Sequence, residues 1–155
     1  MNAALKIALS ALLIFVISET ARRSSLAGAL FASLSCGSFS TISSEIADDE
    51  PRLVGVRPDG ASVHVGGMSS GTRDQLYLAL RFATLERYLT SSEPMPFVVD
   101  DILINFDDRR ALATLEVLAE FSAKTQVLLF THHTRIRDMA AELASPNGVF
   151  VQSLP

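Results

Sequence analysis

Residues 96–101 read PFVVDD and residues 126–133 read QVLLFTHH. Each is a short apolar run that ends abruptly in polar groups, Asp100-Asp101 in the first and Thr131-His132-His133 in the second. Neither run alternates, so each suits a buried strand of a parallel sheet better than the half-wetted strand of an antiparallel one. Between them, residues 107–123 carry helical apolar spacing with an acidic first turn, where the positive end of the helix dipole favours negative charge. A further helix is expected over residues 135–143, stopped by Ser145-Pro146-Asn147-Gly148, and a last short strand over residues 149–151. Strands alternating with helices predict an α/β fold with a parallel sheet.

Toward the N-terminus, residues 72–89 place Leu76, Leu78, Leu80, Phe82, Ala83, Leu85 and Leu89 on much of a helix surface, which predicts a largely buried helix. Residues 91–96 hold two prolines and form a loop. Residues 53–56 and 62–65 flank Pro58-Asp59-Gly60, a strong hairpin signal closed by Gly66-Gly67. Residues 39–46 read as a strand, followed by an acidic turn over residues 47–51.

The chain has 155 residues, 48% hydrophobic and 19% charged, with a mean hydropathy of +0.31. That composition argues against disorder and allows a real core. The net charge of −4 argues against a strongly basic nucleic-acid arm, and the single cysteine, Cys36, excludes a disulfide framework. The composition is uneven. Residues 1–36 carry Lys6, Arg22 and Arg23 against Glu19 alone, whereas residues 37–155 hold 10 basic and 16 acidic residues. Residues 7–18 and 26–34 are apolar runs, each shorter than the roughly 20 residues that cross a bilayer. Residues 1–36 are therefore expected to form an apolar helical segment, membrane-like or foreign to the rest of the chain. A helix packed on the domain and a cleaved signal are the other readings.

Ligands bind at the carboxyl edge of open α/β sheets, and the polar residues gather there. A hydrophobic strand ending in Asp is the Walker B arrangement. Asp100 offers the hard oxygen that Mg²⁺ prefers, and Asp101 is placed to orient or deprotonate a water. A capping carboxylate pair would look the same. Ser69, Ser70 and Gly71 open the long helix, where free amides and the helix dipole suit a phosphate; an ordinary serine cap uses the same residues. Gly66 and Gly71 have the spacing of a P-loop, but Thr72-Arg73 stands where the phosphate-reaching lysine should be. His132 and His133 follow the second strand, where a histidine could touch a phosphate or bind metal with Asp100 and Asp107.

The order of these elements resembles the C-terminal half of an ABC-type ATPase head. Met68 to Gln75 is similar to the signature motif, with Met68 and Ser70 in place of the usual Leu and Gly. Residues 97–101 resemble Walker B, residues 104–107 the D-loop, and His132 the switch histidine. The stretches GMSSGTRDQLYLALR, PFVVDDILINFDDRR and VLLFTHH are close to the YhaN-like branch, allied to SMC and recombination-repair ATPases, in which Asp at the position of Asp101 also occurs. Residues 1–36 weakly resemble the start of a family of small bacterial inner-membrane proteins.

The resemblance implies a partial P-loop NTPase fold over residues 37–155, with ATP and Mg²⁺ as cofactors. It assigns Asp100 to the metal and Asp101 and His132 to catalysis. Ser69, Ser70, Gly71 and Asp107 fall to the nucleotide or to coupling between heads. It implies a second head or an N-terminal lobe as partner, and for a parent ATPase a nuclease subunit and DNA. The expected location is cytoplasmic, with membrane contact through residues 1–36. Missing are the Gly-x-x-x-x-Gly-Lys-Ser/Thr loop, the Gln-containing loop and the coiled coil of a complete head. In that fold the strand leading into the P-loop lies between the His132 strand and the last strand, so its loss leaves a central gap. The chain is therefore expected to hydrolyse ATP at or near background. Its alternatives are an interaction module of a split ATPase, a metal-dependent hydrolase using Asp100, Asp101, Asp107 and His132, and a fusion fragment without function.

Overall fold

A computed structural model describes residues 24–47, 50–143 and 148–153. It divides into two compact units, Met1–Ala83 and Thr84–Pro155, with the division inside a long helix. The apolar run over residues 7–18 lies outside the described residues. Among the described residues no helix is long and apolar enough to cross a membrane.

In the first unit, helix α1 (Ser24–Leu34) precedes strands β1 (Thr41–Ala47), β2 (Glu50–Val56) and β3 (Ser62–His64). The strands form an antiparallel meander in the order β1-β2-β3, with Thr41 opposite Val56 and Val54 opposite His64. Pro58-Asp59-Gly60 makes the expected turn. Gly60 takes a φ of 86°, and the Ala61 amide donates to Asp59 Oδ1 at 2.9 Å. A β-carbon at Gly60 would be strained there.

Helix α1 packs on β1. Its Phe31 is fully buried and tilts against Phe39, with ring centroids 4.9 Å apart. The Phe39 amide is taken by Ser35 Oγ at 3.3 Å, so the chain turns into the core at Phe39 and the strand starts at Thr41, two residues later than expected. Gly55 leaves room for Phe39 and Met68, since a Cβ there would lie 2.7 Å from the Phe39 ring and 2.8 Å from Met68 Cε. A 3₁₀ turn (Val65–Gly67) leads to helix α2 (Ser70–Leu89), in which Leu76, Leu78 and Phe82 are buried as the spacing predicts, Ala79 is buried with them, and Leu80, Ala83, Leu85 and Leu89 are half-buried. Gln75 is also buried, and its Nε2 donates to the Leu34 carbonyl at 2.7 Å, tying α2 to the end of α1.

The second unit holds strand β4 (Phe97–Asp100), helix α3 (Asp108–Ser122), strand β5 (Val127–Phe130) and helix α4 (Thr134–Glu142). Strands β4 and β5 pair in parallel, with Phe97 opposite Val127 and Asp100 opposite Phe130. Helix α3 packs on β5 and α4 packs on α3. Among the described residues of this unit, Val99, Leu103, Phe106, Ala111, Leu115, Val117, Leu118, Phe121 and Ile136 are the buried apolar ones.

Two expectations fail here. Residues 149–151 form no strand, and among the described residues no strand lies beyond β5 for them to pair with. Nor are the two strands buried on both faces. The register puts Val98, Leu128 and Phe130 on one face, and they are 56%, 37% and 46% exposed.

Candidate functional site

The parallel register brings the ends of β4 and β5 side by side, so the polar residues after each strand meet. The Asp101 amide donates to the Phe130 carbonyl at 3.0 Å, which continues the ladder by one bond. The chain then turns sharply, with Asp101 in the left-handed region at φ 45°. Aspartate tolerates that region better than most residues, at a cost of about 1–3 kcal/mol for such a conformation. The turn aims its carboxylate across to β5. Asp101 Oδ2 lies 2.5 Å from His132 Nδ1, and the His132 amide donates to Asp101 Oδ1 at 3.4 Å. The Thr131 hydroxyl also bonds the carboxylate.

Partial desolvation pushes the Asp101 carboxyl upward. Bonds from Thr131, the His132 ring and the His132 amide, together with the charge of His132, outweigh it and hold the group below its ordinary value of 3.8. The depressed value means that its contribution to stability is complete above the ordinary pKa and is lost as pH falls through the folded one. The side-chain carboxyl carbon of Asp101 should therefore titrate in NMR below pH 3.8. A midpoint at or above that value would remove the pairing from the solution structure.

The bond to an ionised Asp101 makes His132 Nδ1 the donor. The outer nitrogen is then free to accept from, or, when the ring is protonated, to donate to, a ligand. His132 is 71% exposed and Asp101 28%, so the pair is open to solvent at the sheet edge. The His133 ring lies beside it at 4.0 Å between centroids.

Among the described residues, the cluster of potential metal donors is Asp101, His132 and His133, with one donor atom of each within 4.8 Å of the other two. Asp100 ends β4 as an exposed residue, and neither it nor Asp107 joins that cluster. Asp107 instead caps α3, its Oδ1 accepting from the Arg110 amide at 2.9 Å. Asp107→Ala should cost about 0.5–2 kcal/mol in urea unfolding. Asp107→Asn, an equally good cap, should cost little, which separates the cap from any use of the charge. The basic residues nearby are held locally. Arg135 pairs with Asp108 and donates to the Phe106 carbonyl at 3.0 Å, and Arg137 pairs with Asp138.

The signature-like turn belongs to the first unit. Ser69 Oγ caps α2, accepting from the Thr72 amide at 3.2 Å and sharing a bond with Thr72 Oγ1 at 2.9 Å. Ser70 is exposed and Gly71 buried. Thr131, which sequence reasoning treated only as a strand end, proves to be a partner of Asp101. The available signal was that both strands end in polar residues at matching register.

No family model matches the chain. The fold is that of an SMC-type ATPase head. A structure described as addressing ATP-driven dimerization and DNA-stimulated activation of SMC ATPases superposes with a TM-score of 0.63 at 17% identity, covering 84% of this chain and 78% of that one. The Smc head domain from Pyrococcus furiosus, bound to the C-terminal domain of ScpA, gives a TM-score of 0.58 at 18% identity over 75% of this chain and 29% of that one. In sequence the chain is similar to the uncharacterized protein YhaN of Bacillus subtilis, 35% identical over 113 residues, or 72% of this chain. The chain spans 11% of that relative's length. Its fold is thus of the α/β P-loop NTPase type, and its sequence is YhaN-like over 113 residues.

Proposed function

We propose that the chain is the C-terminal lobe of an ABC-type, SMC-like ATPase, inactive alone and completed by a lobe that carries Walker A. The observation that carries this reading is the Asp101–His132 pair joining the carboxyl ends of two parallel strands. The donor chemistry fits Mg²⁺-ATP in part. Asp100 presents an exposed carboxylate at the end of β4, and a hard oxygen donor is what Mg²⁺ requires. Ser69, Ser70 and Gly71 at the start of α2 would meet phosphate oxygens of a nucleotide held by an opposite head. When bound, Mg²⁺-ATP supplies the phosphoryl group and neutralises its charge. Asp101 orients a water and takes its proton at a carboxylate oxygen. His132, held in position by Asp101, meets the developing charge with its outer nitrogen, which requires the imidazolium form. Asp107 couples the heads.

The exposed apolar face of β4–β5 supports the need for a partner lobe, since parallel sheets are ordinarily covered on both faces. A second head or an N-terminal lobe is the partner. SMC heads that dimerise with ATP and an Smc head bound to ScpA are precedents among the structural neighbours. A nuclease subunit and DNA rest on the family resemblance alone.

The test is to assay the purified chain alone and after mixing with an N-terminal head lobe from a YhaN-like protein. Background ATP hydrolysis alone and Mg²⁺-dependent turnover in the two-lobe mixture are expected. Robust turnover by the chain alone, abolished by Asp100→Ala, would overturn the reading.

A further inference from the structure

The nucleotide reading assigns no role to His133. Its backbone caps α4 but its side chain makes no capping bond, and its buried Nε2 atom has no hydrogen-bond partner. A buried imidazole nitrogen without a partner forfeits the free energy of its hydration. The ring stands against His132, and a donor atom of His133 falls within 4.8 Å of donors from both His132 and Asp101.

We propose that Asp101, His132 and His133 form a binding site for a borderline-soft divalent cation of the Zn²⁺ class. Two imidazole nitrogens and one carboxylate oxygen match the ligand preferences of Zn²⁺, Co²⁺ and Ni²⁺ and are a poor set for Mg²⁺, which selects oxygen. Zn²⁺ bonds of about 2.0–2.1 Å hold tetrahedral donors about 3.3 Å apart. The 2.5 Å contact between Asp101 and His132 must therefore open by less than about 1 Å as the metal replaces the shared proton. Three protein ligands leave a fourth position for water, and the exposure of His132 leaves the site open to entry.

This site is distinct from the Mg²⁺ position assigned to Asp100 and needs neither nucleotide nor a second lobe. It takes up Asp101 and His132, however, so a chain holding this cation cannot use them for hydrolysis. The chelator-treated full chain should bind Zn²⁺ at one equivalent in calorimetry. Co²⁺ should give the visible absorption of a four- or five-coordinate ion. His133→Gln and Asp101→Asn should each weaken binding about 10-fold or more. Cys36→Ser and His64→Ala, which test the remaining thiol and imidazole, should leave it unchanged. Circular dichroism identifies any variant that has unfolded, and the titration of the unaltered chain stands apart from that outcome. Absence of Co²⁺ absorption, or Zn²⁺ affinity unmoved by both ligand substitutions, would overturn the proposal. Failure of the two-lobe ATPase assay leaves this titration untouched, so the two ideas fail separately.

Discussion

Asp101→Asn is expected to lower Mg²⁺-dependent ATP turnover of the two-lobe head by about 100-fold or more, the range set by a positioned general base. The substitution is isosteric. The amide oxygen still accepts from Thr131 and from the His132 backbone, so the turn after β4 should persist. What is lost is the capacity to take a proton from water and the negative charge that orients the His132 ring. A structural role would lower stability and leave turnover per folded head intact; a catalytic role does the reverse. Asp101→Glu distinguishes them further, because it restores the base on a longer arm and should recover part of kcat with a changed pH profile. Turnover of the Asn variant within about threefold of the unaltered head would remove Asp101 from the chemistry.

The strands that frame this pair were readable because apolar runs ending in Asp-Asp and Thr-His-His have few other uses. Helix α3 was readable from its spacing and acidic start, although Asp107, expected as its first residue, stands outside it as the cap. The bond between Asp101 and His132 was not. It depends on β4 and β5 being neighbours in register, and on a left-handed turn at Asp101 that no local pattern announces. The exposed face of the sheet was misread for a related reason. Val98, Leu128 and Phe130 are apolar as though covered on both sides, yet this unit covers one. An apolar run records the surroundings a strand is suited to, not those that one lobe supplies. The same ambiguity touches residues 24–34. A helix that is apolar around most of its circumference is equally consistent with lipid and with a protein core.

Phe31→Ala decides between those two environments for α1. Phe31 is fully buried and packed on Phe39, and Ala27 and Leu34 are buried with it. The helix also comes close enough to β1 that a Cβ at Gly28 would overlap Thr41 Oγ1. Truncating a buried phenylalanine removes its transfer free energy and leaves a cavity, together about 3–5 kcal/mol. Urea unfolding of the chain in detergent-free buffer should show that loss as a lower midpoint at an unchanged slope. Leu26, on the same helix, is 37% exposed, and Leu26→Ala should cost far less than Phe31→Ala. If α1 instead belonged to a membrane segment, neither truncation would weaken the packing of the meander in water, and the two variants would unfold together with the unaltered chain. A cost below about 1 kcal/mol for Phe31→Ala would therefore detach α1 from the domain. The full cost would make it an integral layer of the first unit, with Gln75 binding the Leu34 carbonyl as the polar tie that α2 adds to an otherwise apolar contact.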